Sequence, residues 1–328
     1  MARVLSGMRP TGKLHIGHLH GALKNWIRLT ADYECFYFSA DWHALTTDYA
    51  DTSLIEGNTH DMIVDWLAAG LDPAKCTMFV QSRIPEHAEL FLILGMLTPL
   101  PWTLKLPSFK EQQEQITDKD LNTFGFLGYP VLQAADILMY RAHGVPVGVD
   151  QSAHVELARD IAKRFNGFYG EVFPLPKEIF TQSPKVPGTD GRKMSKSYHN
   201  AVLLDDPPDV VRKKISTMVT DPARKRRADP GNPDICPVFD LHKIYSTAET
   251  QAWSRHGCTT ASIGCLDCKK PLIEEINAEL APIQERRRRL ESDPTVVEHI
   301  LRDGNRRAQE AAAATMDLVH RAIRIKAN

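Results

Sequence analysis

The chain has 328 residues, 43% of them hydrophobic and 25% charged, with a formal net charge of -1. Such a composition belongs to a globular protein long enough for more than one domain, and it excludes disordered, collagen-like and uniformly basic chains. No apolar run approaches the length of a membrane span and residues 1–18 lack a signal-peptide core, so a cytoplasmic protein away from membranes is expected. In that reducing setting the six cysteines are expected as thiols or metal ligands rather than disulfides.

Residues 3–7 read as a short buried strand, followed by a Pro-Thr-Gly turn and a helical pattern from about His15 to Leu29. Residues 35–39 and 77–81 read as further strands, separated by an amphipathic helix over 52–70, and a helix follows Pro85. Helices near 130–142 and over 151–166 flank a short strand or loop at 145–148, and the alternation stops near residue 172. Strands alternating with helices predict a parallel sheet with α/β architecture. Pro184 to Asn200 is rich in Pro, Gly, Lys and Ser and reads as a long mobile loop. Beyond it, helical patterns over 206–218, 270–290 and 294–325 predict an all-helical second domain.

Four local patterns carry chemistry. Residues 11–18 place Gly17, His15 and His18 where a first strand passes into a helix, and the N-terminus of that helix offers free backbone N–H groups to a phosphate. Both histidines, three apart on one face, can donate to phosphate oxygens. Residues 193–197 put Lys193 and Lys196 on the loop, as point charges able to follow a developing negative charge. Tyr129, Gln133 and Asp136 share one face of an otherwise apolar helix, and a carboxylate there could accept an indole N–H. Cys236, Cys258, Cys265 and Cys268 end in a chelate-spaced pair, so that four thiolates suit either structural zinc or an iron-sulfur cluster. Cys35 and Cys76 fall in apolar strand patterns and read as core. An isolated His-x-x-His or Lys-x-x-Lys is more often a solvated surface pair; here two such pairs stand at ordered places in one α/β pattern.

The strings His15-Ile16-Gly17-His18 and Lys193-Met194-Ser195-Lys196-Ser197 match the HIGH and KMSKS signatures of class I aminoacyl-tRNA synthetases, and the helix at 129–140 resembles the specificity helix of the tryptophanyl branch. Tyrosyl enzymes carry a similar helix; the segment 145–151 resembles the tryptophan version. The resemblance implies a Rossmann-like catalytic domain over 1–200 and a helical anticodon-binding domain over 201–328, its last helices packing back. It implies activation of L-tryptophan with ATP and Mg2+, then transfer to tRNA(Trp), by a homodimer. His15, His18, Lys193 and Lys196 would be catalytic. Arg9, Pro10, Thr11, Gly17, Gly148, Val149, Asp150, Val186, Met194, Ser195 and Ser197 would join His18 and the two lysines around ATP. Gly7, Ile137, Val145, Val147 and Gln151 would join Tyr129, Gln133 and Asp136 around tryptophan. Arg9 stands where many relatives have Gln. A subset of the family holds a 4Fe-4S cluster on cysteines spaced almost as here, which favours the cluster over Zn2+.

Three other readings compete. A tyrosyl enzyme would not be expected to carry the cysteine quartet. A non-catalytic tRNA-binding or redox-sensing relative would have no chemical need for both histidines and both lysines, and a small nucleotidylyltransferase none for a helical second domain. Basic runs at 224–227, 269–270 and 286–289 offer contacts to tRNA phosphates, the pair beside the cysteines first.

Overall fold

The computed structural model describes residues 1–106, 120–148, 151–180 and 185–325. Five parallel strands form one sheet in the order β3-β2-β1-β4-β5: β1 (Arg3–Met8), β2 (Glu34–Ser39), β3 (Cys76–Val80), β4 (Gly144–Val147) and β5 (Lys177–Phe180). β2 and β3 are near-continuous apolar runs buried on both faces, as a covered parallel sheet requires, whereas β1 is buried at Val4 and Leu5 and opens toward its carboxyl end. Six residue pairs register β1 with β2, whereas β1 and β4 register at Val4↔Gly144 alone. The strand order also reverses between β1 and β4, so a crevice opens at their carboxyl ends, where open α/β sheets bind ligands.

The helices are α1 (Ile16–His18) and α2 (Lys24–Leu29), joined by a π-helical turn at Leu19–Leu23, then α3 (Asp41–Asp48), α4 (Ile55–Ala69), α5 (Glu86–Leu97), α6 (Leu100–Leu104), α7 (Phe124–Met139) and α8 (Ser152–Tyr169). After the sheet come α9 (Pro208–Thr217), α10 (Pro237–Tyr245), α11 (Ala248–Thr259), α12 (Cys265–Ser292) and α13 (Pro294–Ile323). One apolar core joins β1–β3 to α4, α9, α10 and α12; a second, on the other sheet face, joins α5, α7 and α8 to α13. At Gly304 of α13 an added Cβ would lie 1.7 Å from the Met78 carbonyl oxygen, so this helix rests directly on β3.

One feature departs from the sequence reading. The strand–helix alternation does not stop near 172, because β5 follows; it is a short edge strand, partly exposed and carrying Lys177 and Glu178, so it has no apolar run to announce it. Within the segment read as a loop, residues 185–200 form a turn with backbone bonds from Gly188 N to Arg192 O at 2.7 Å and Thr189 N to Asn200 O at 2.9 Å. Asn200, 1% exposed, accepts from Ser195 N at 2.8 Å and donates to Asp190 at 2.7 Å. A polar side chain inside the turn does the work that apolar periodicity does elsewhere.

Candidate active site

The β1–β4 crevice deepens into a cavity of about 450 Å³. Gly7 and Arg9 line it from the end of β1, Val145, Val147 and Gly148 from β4, and Tyr129, Gln133, Asp136 and Ile137 from one face of α7, with Gln151 at the start of α8. The structure thus brings together the whole set read from sequence for the amino acid, along with Arg9 and Gly148. Val149 and Asp150 lie outside the described residues. Gly7 is required for steric reasons: a Cβ there would lie 2.4 Å from Phe38 Cζ, whose ring forms part of the wall.

Asp136 is 1% exposed. Its Oδ2 accepts from His43 Nε2 at 2.8 Å, and its Oδ1 accepts from Gln81 Nε2 at 2.7 Å and His87 Nδ1 at 2.6 Å. Burial pushes the carboxyl upward, and the bonds from His43 and His87 outweigh that and hold it below its ordinary value. An ionised carboxylate accepts at about four positions; three are filled, leaving room for one further donor from the cavity. Beyond His87, the Tyr140 hydroxyl lies 2.8 Å from Nε2. Sequence reasoning missed His43, Gln81 and His87. The first two had a signal, since they stand just past the carboxyl ends of β2 and β3, on the edge where such sheets place their sites.

The phosphate-binding candidates form a second cluster, on α1 and the residue that precedes it. The His15 and His18 rings sit 3.8 Å apart. Burial, assisted by the charge of Lys196, lowers His15 to about 4 and holds His18 well below its ordinary value, so both are neutral at pH 7. His18 Nδ1 accepts the His15 backbone N–H at 3.2 Å, which leaves the ring proton of neutral His18 on Nε2, free to donate. A Cβ on Gly17 would meet the His15 ring at 2.7 Å, so the close approach that this glycine permits is used by the histidine itself.

The lysine loop is docked here. Lys196 Nζ donates to Gly12 O at 2.9 Å and Thr11 Oγ1 at 3.4 Å, and burial lowers it to about 8. Lys193 is close enough for its charge to disfavour protonation of His18. Met194, whose N–H donates to Val186 O at 3.0 Å, packs with Val186 in the core, and each is about 5% exposed or less. Pro10 is buried, and Ser195 is tied down by Asn200. Backbone bonds from Ile16 N to Val202 O and Leu204 N to Leu14 O, both 3.0 Å, fasten the chain after the loop to the histidine segment. Two motifs some 180 residues apart in sequence therefore form one polar surface beside the cavity.

The family described as tRNA synthetases class I (W and Y) matches residues 1–281. The tryptophan–tRNA ligase of Thermotoga maritima is 53% identical over 325 residues, covering 98% of this chain and 99% of that one. The chain belongs to the class I tryptophanyl-tRNA synthetases. The ligase of Ralstonia nicotianae is 44% identical over 98% of each chain. A crystal structure of tryptophanyl-tRNA synthetase from Campylobacter jejuni, complexed with ADP and tryptophan, matches with a TM-score of 0.88 at 33% identity, covering 98% of this chain and 99% of that one.

The four cysteines gather where α10, α11 and α12 meet. Cys236 precedes α10, Cys258 lies near the end of α11, and Cys265 and Cys268 open α12. Burial first, then the charges of the other cysteines, push the Cys268 thiol up to about 11 and Cys258 upward. None is in a disulfide, and among the described residues no three His, Cys, Asp or Glu side chains converge on a metal position. The basic runs are partly structural. Lys269 is 3% exposed and donates to the carbonyls of Ser216 at 2.8 Å and Met218 at 2.6 Å, which removes it from any RNA surface. Arg224 donates to the Ile263 carbonyl at 2.6 Å, and Arg287 is buried against Asp65. No helix among the described residues is long and apolar enough to cross a membrane.

Proposed function

We propose that the protein activates L-tryptophan with ATP, giving tryptophanyl-adenylate and pyrophosphate, and then transfers tryptophan to the 3′ end of tRNA(Trp). Asp136 carries this reading: a buried carboxylate in the cavity lining, with three of its acceptor positions filled and one open, suits an indole N–H. In the first step a carboxylate oxygen of tryptophan attacks the α-phosphorus, the bond to the bridging oxygen breaks, and pyrophosphate leaves. No protein nucleophile is needed. Neutral His15 and His18 donate to phosphate oxygens, and Lys193 and Lys196 follow the charge that moves onto the pyrophosphate. Arg9, Pro10, Thr11, Gly17, Gly148 and Met194 to Ser197 complete the ATP side, and Gln151 takes the tryptophan ammonium. With no acidic cluster among the described residues, Mg2+ would be held by the phosphates and water.

Residues 1–200 are read as the catalytic domain and 201–328 as the tRNA-reading domain, with Lys225, Arg226, Arg227 and Lys270 as exposed cations near the cysteines. The quartet is assigned a 4Fe-4S cluster, with Zn2+ the alternative; its support is the donor chemistry, four neighbouring thiols, two of which, Cys258 and Cys268, are pushed upward by burial that a bound cation would offset. Anoxic purification with iron, sulfide and zinc analysis decides between them, and a colourless protein with one zinc overturns the cluster. A homodimer is supported by the exposed Leu92 and Met96 of α5 and Leu100 and Leu104 of α6, and the cytoplasm is its proposed location. The activity is tested by exchange of labelled pyrophosphate into ATP with tryptophan, tyrosine or no amino acid. Exchange with tryptophan alone is expected; exchange with tyrosine overturns the specificity.

A further inference from the structure

The π-helical turn at Leu19–Leu23 sits between the two halves of the site. Upstream of it are His15 and His18; downstream, Trp26 lines the amino-acid cavity, as do Gly21 and Ala22 within the turn. One extra residue in a helical turn rotates everything beyond it by about 100°, so the turn fixes how the phosphate histidines are aimed relative to the cavity wall. A π turn has poorer backbone geometry than an α turn and persists where its surroundings hold it.

The holding contacts come from the C-terminal helices. His20, inside the turn with a side chain 7% exposed, lies with Nε2 2.9 Å from Glu279 Oε2 on α12 and 3.1 Å from the Tyr245 hydroxyl on α10. Lys24, one turn on, binds the other oxygen of Glu279. The His20 and Tyr245 rings meet edge to face at 4.9 Å. Further along α12, Gln284 Nε2 donates to the carbonyls of Leu204 at 3.0 Å and Asp206 at 2.9 Å, and Arg287 pairs with Asp65, whose Oδ2 accepts Leu14 N–H. One helix thus grips the chain before, at and after the histidine motif.

We propose that Glu279 is a positioning residue for tryptophan activation, acting through His20 and Lys24 to hold the π turn that sets His18 against the amino-acid cavity. It touches neither substrate. The inference rests on the reading of this site as tryptophan-activating. Without Glu279 the turn relaxes toward an α-helix and His18 swings away, while the Asp136 end of the cavity, built on α3, α5 and α7, is untouched.

The test uses the full-length enzyme in tryptophan-dependent pyrophosphate exchange, with tryptophan affinity measured separately by equilibrium dialysis. Glu279→Ala should lower kcat by about ten- to a hundredfold, as misplacement of about 1 Å does, with tryptophan Kd within about twofold of wild type. Glu279→Gln, whose amide oxygen still accepts from His20, should recover most of the rate. Tyr245→Phe removes the second anchor without a charge change and should show the same split at smaller amplitude; it carries the test if Glu279→Ala does not fold. A wild-type kcat in both Glu279→Ala and Tyr245→Phe overturns the proposal. So does equal damage to kcat, tryptophan affinity and melting temperature in Ala and Gln variants alike, which marks an ordinary interdomain ion pair. Failure of the wild-type enzyme to exchange with tryptophan is a different result, and it removes the functional reading beneath the proposal.

Discussion

Asp136 and Lys196 show how single side chains acquire their properties from what surrounds them. His43, Gln81 and His87 keep Asp136 ionised and aimed, so its remaining acceptor position is preorganised before tryptophan arrives. A charged hydrogen bond of this kind contributes about 1.5–3 kcal/mol, so Asp136→Asn should lower kcat/KM for tryptophan by about ten- to a hundredfold with KM for ATP unchanged. Exchange kinetics at varied tryptophan check this, and an unaltered tryptophan KM would remove Asp136 from recognition. Lys196 has the opposite problem: burial lowers it to about 8, so the free enzyme loses the ammonium as pH rises through that value. The kcat/KM for ATP, which reports the free enzyme, should therefore fall on the alkaline side with an apparent pKa near 8. In Lys196→Arg, always charged, the profile should stay level through that range even if the rate is lower. At this scale the chemical residue types were legible as motifs. The three partners of Asp136 were not, because they come from three separate elements.

At the scale of elements, α12 does most to unite the chain. Its Arg287 lies buried against Asp65 of α4, where burial raises the Asp65 carboxyl to about 6 even with the arginine beside it. Removing one partner of a buried pair costs about 3–5 kcal/mol, so Arg287→Met should shift the urea midpoint down markedly at pH 8. The sign of the pH effect follows from Asp65. Its folded pKa lies above the unfolded value, so the folded state takes up the extra proton as pH falls through 6 toward 4. That proton cancels the stranded charge, and the deficit against wild type should be smaller at pH 5 than at pH 8; urea curves at both values check it. The run 286–289 looked like a solvated or RNA-facing face in sequence, since a buried arginine reads as basic until its partner, more than 200 residues away, is known. β5 was invisible for a related reason: an edge strand needs little apolar sequence, and its neighbour β4 supplies its hydrogen bonds.

For the whole molecule, the exposed Leu92, Met96, Leu100 and Leu104 on α5 and α6 are the proposed dimer face. Met96→Glu, placing a charge where an apolar contact is required, should turn a dimer by light scattering into a monomer; a wild-type monomer at working concentration would discard the dimer instead. Sequence alone determined the parallel α/β architecture, because buried strands and amphipathic helices carry periods that a chain cannot hide. It also determined the two signature motifs and the amino-acid helix, since Tyr129, Gln133 and Asp136 share a face by spacing alone. The tertiary structure decided what depends on contacts between distant segments: that Lys196 reaches Thr11 and Gly12, that Lys269 is buried under two carbonyls, and that Gly304 must be glycine to lie on Met78. A hydrogen bond across 180 residues leaves no periodicity in either segment that makes it, and only the folded chain brings its donor and acceptor to one place.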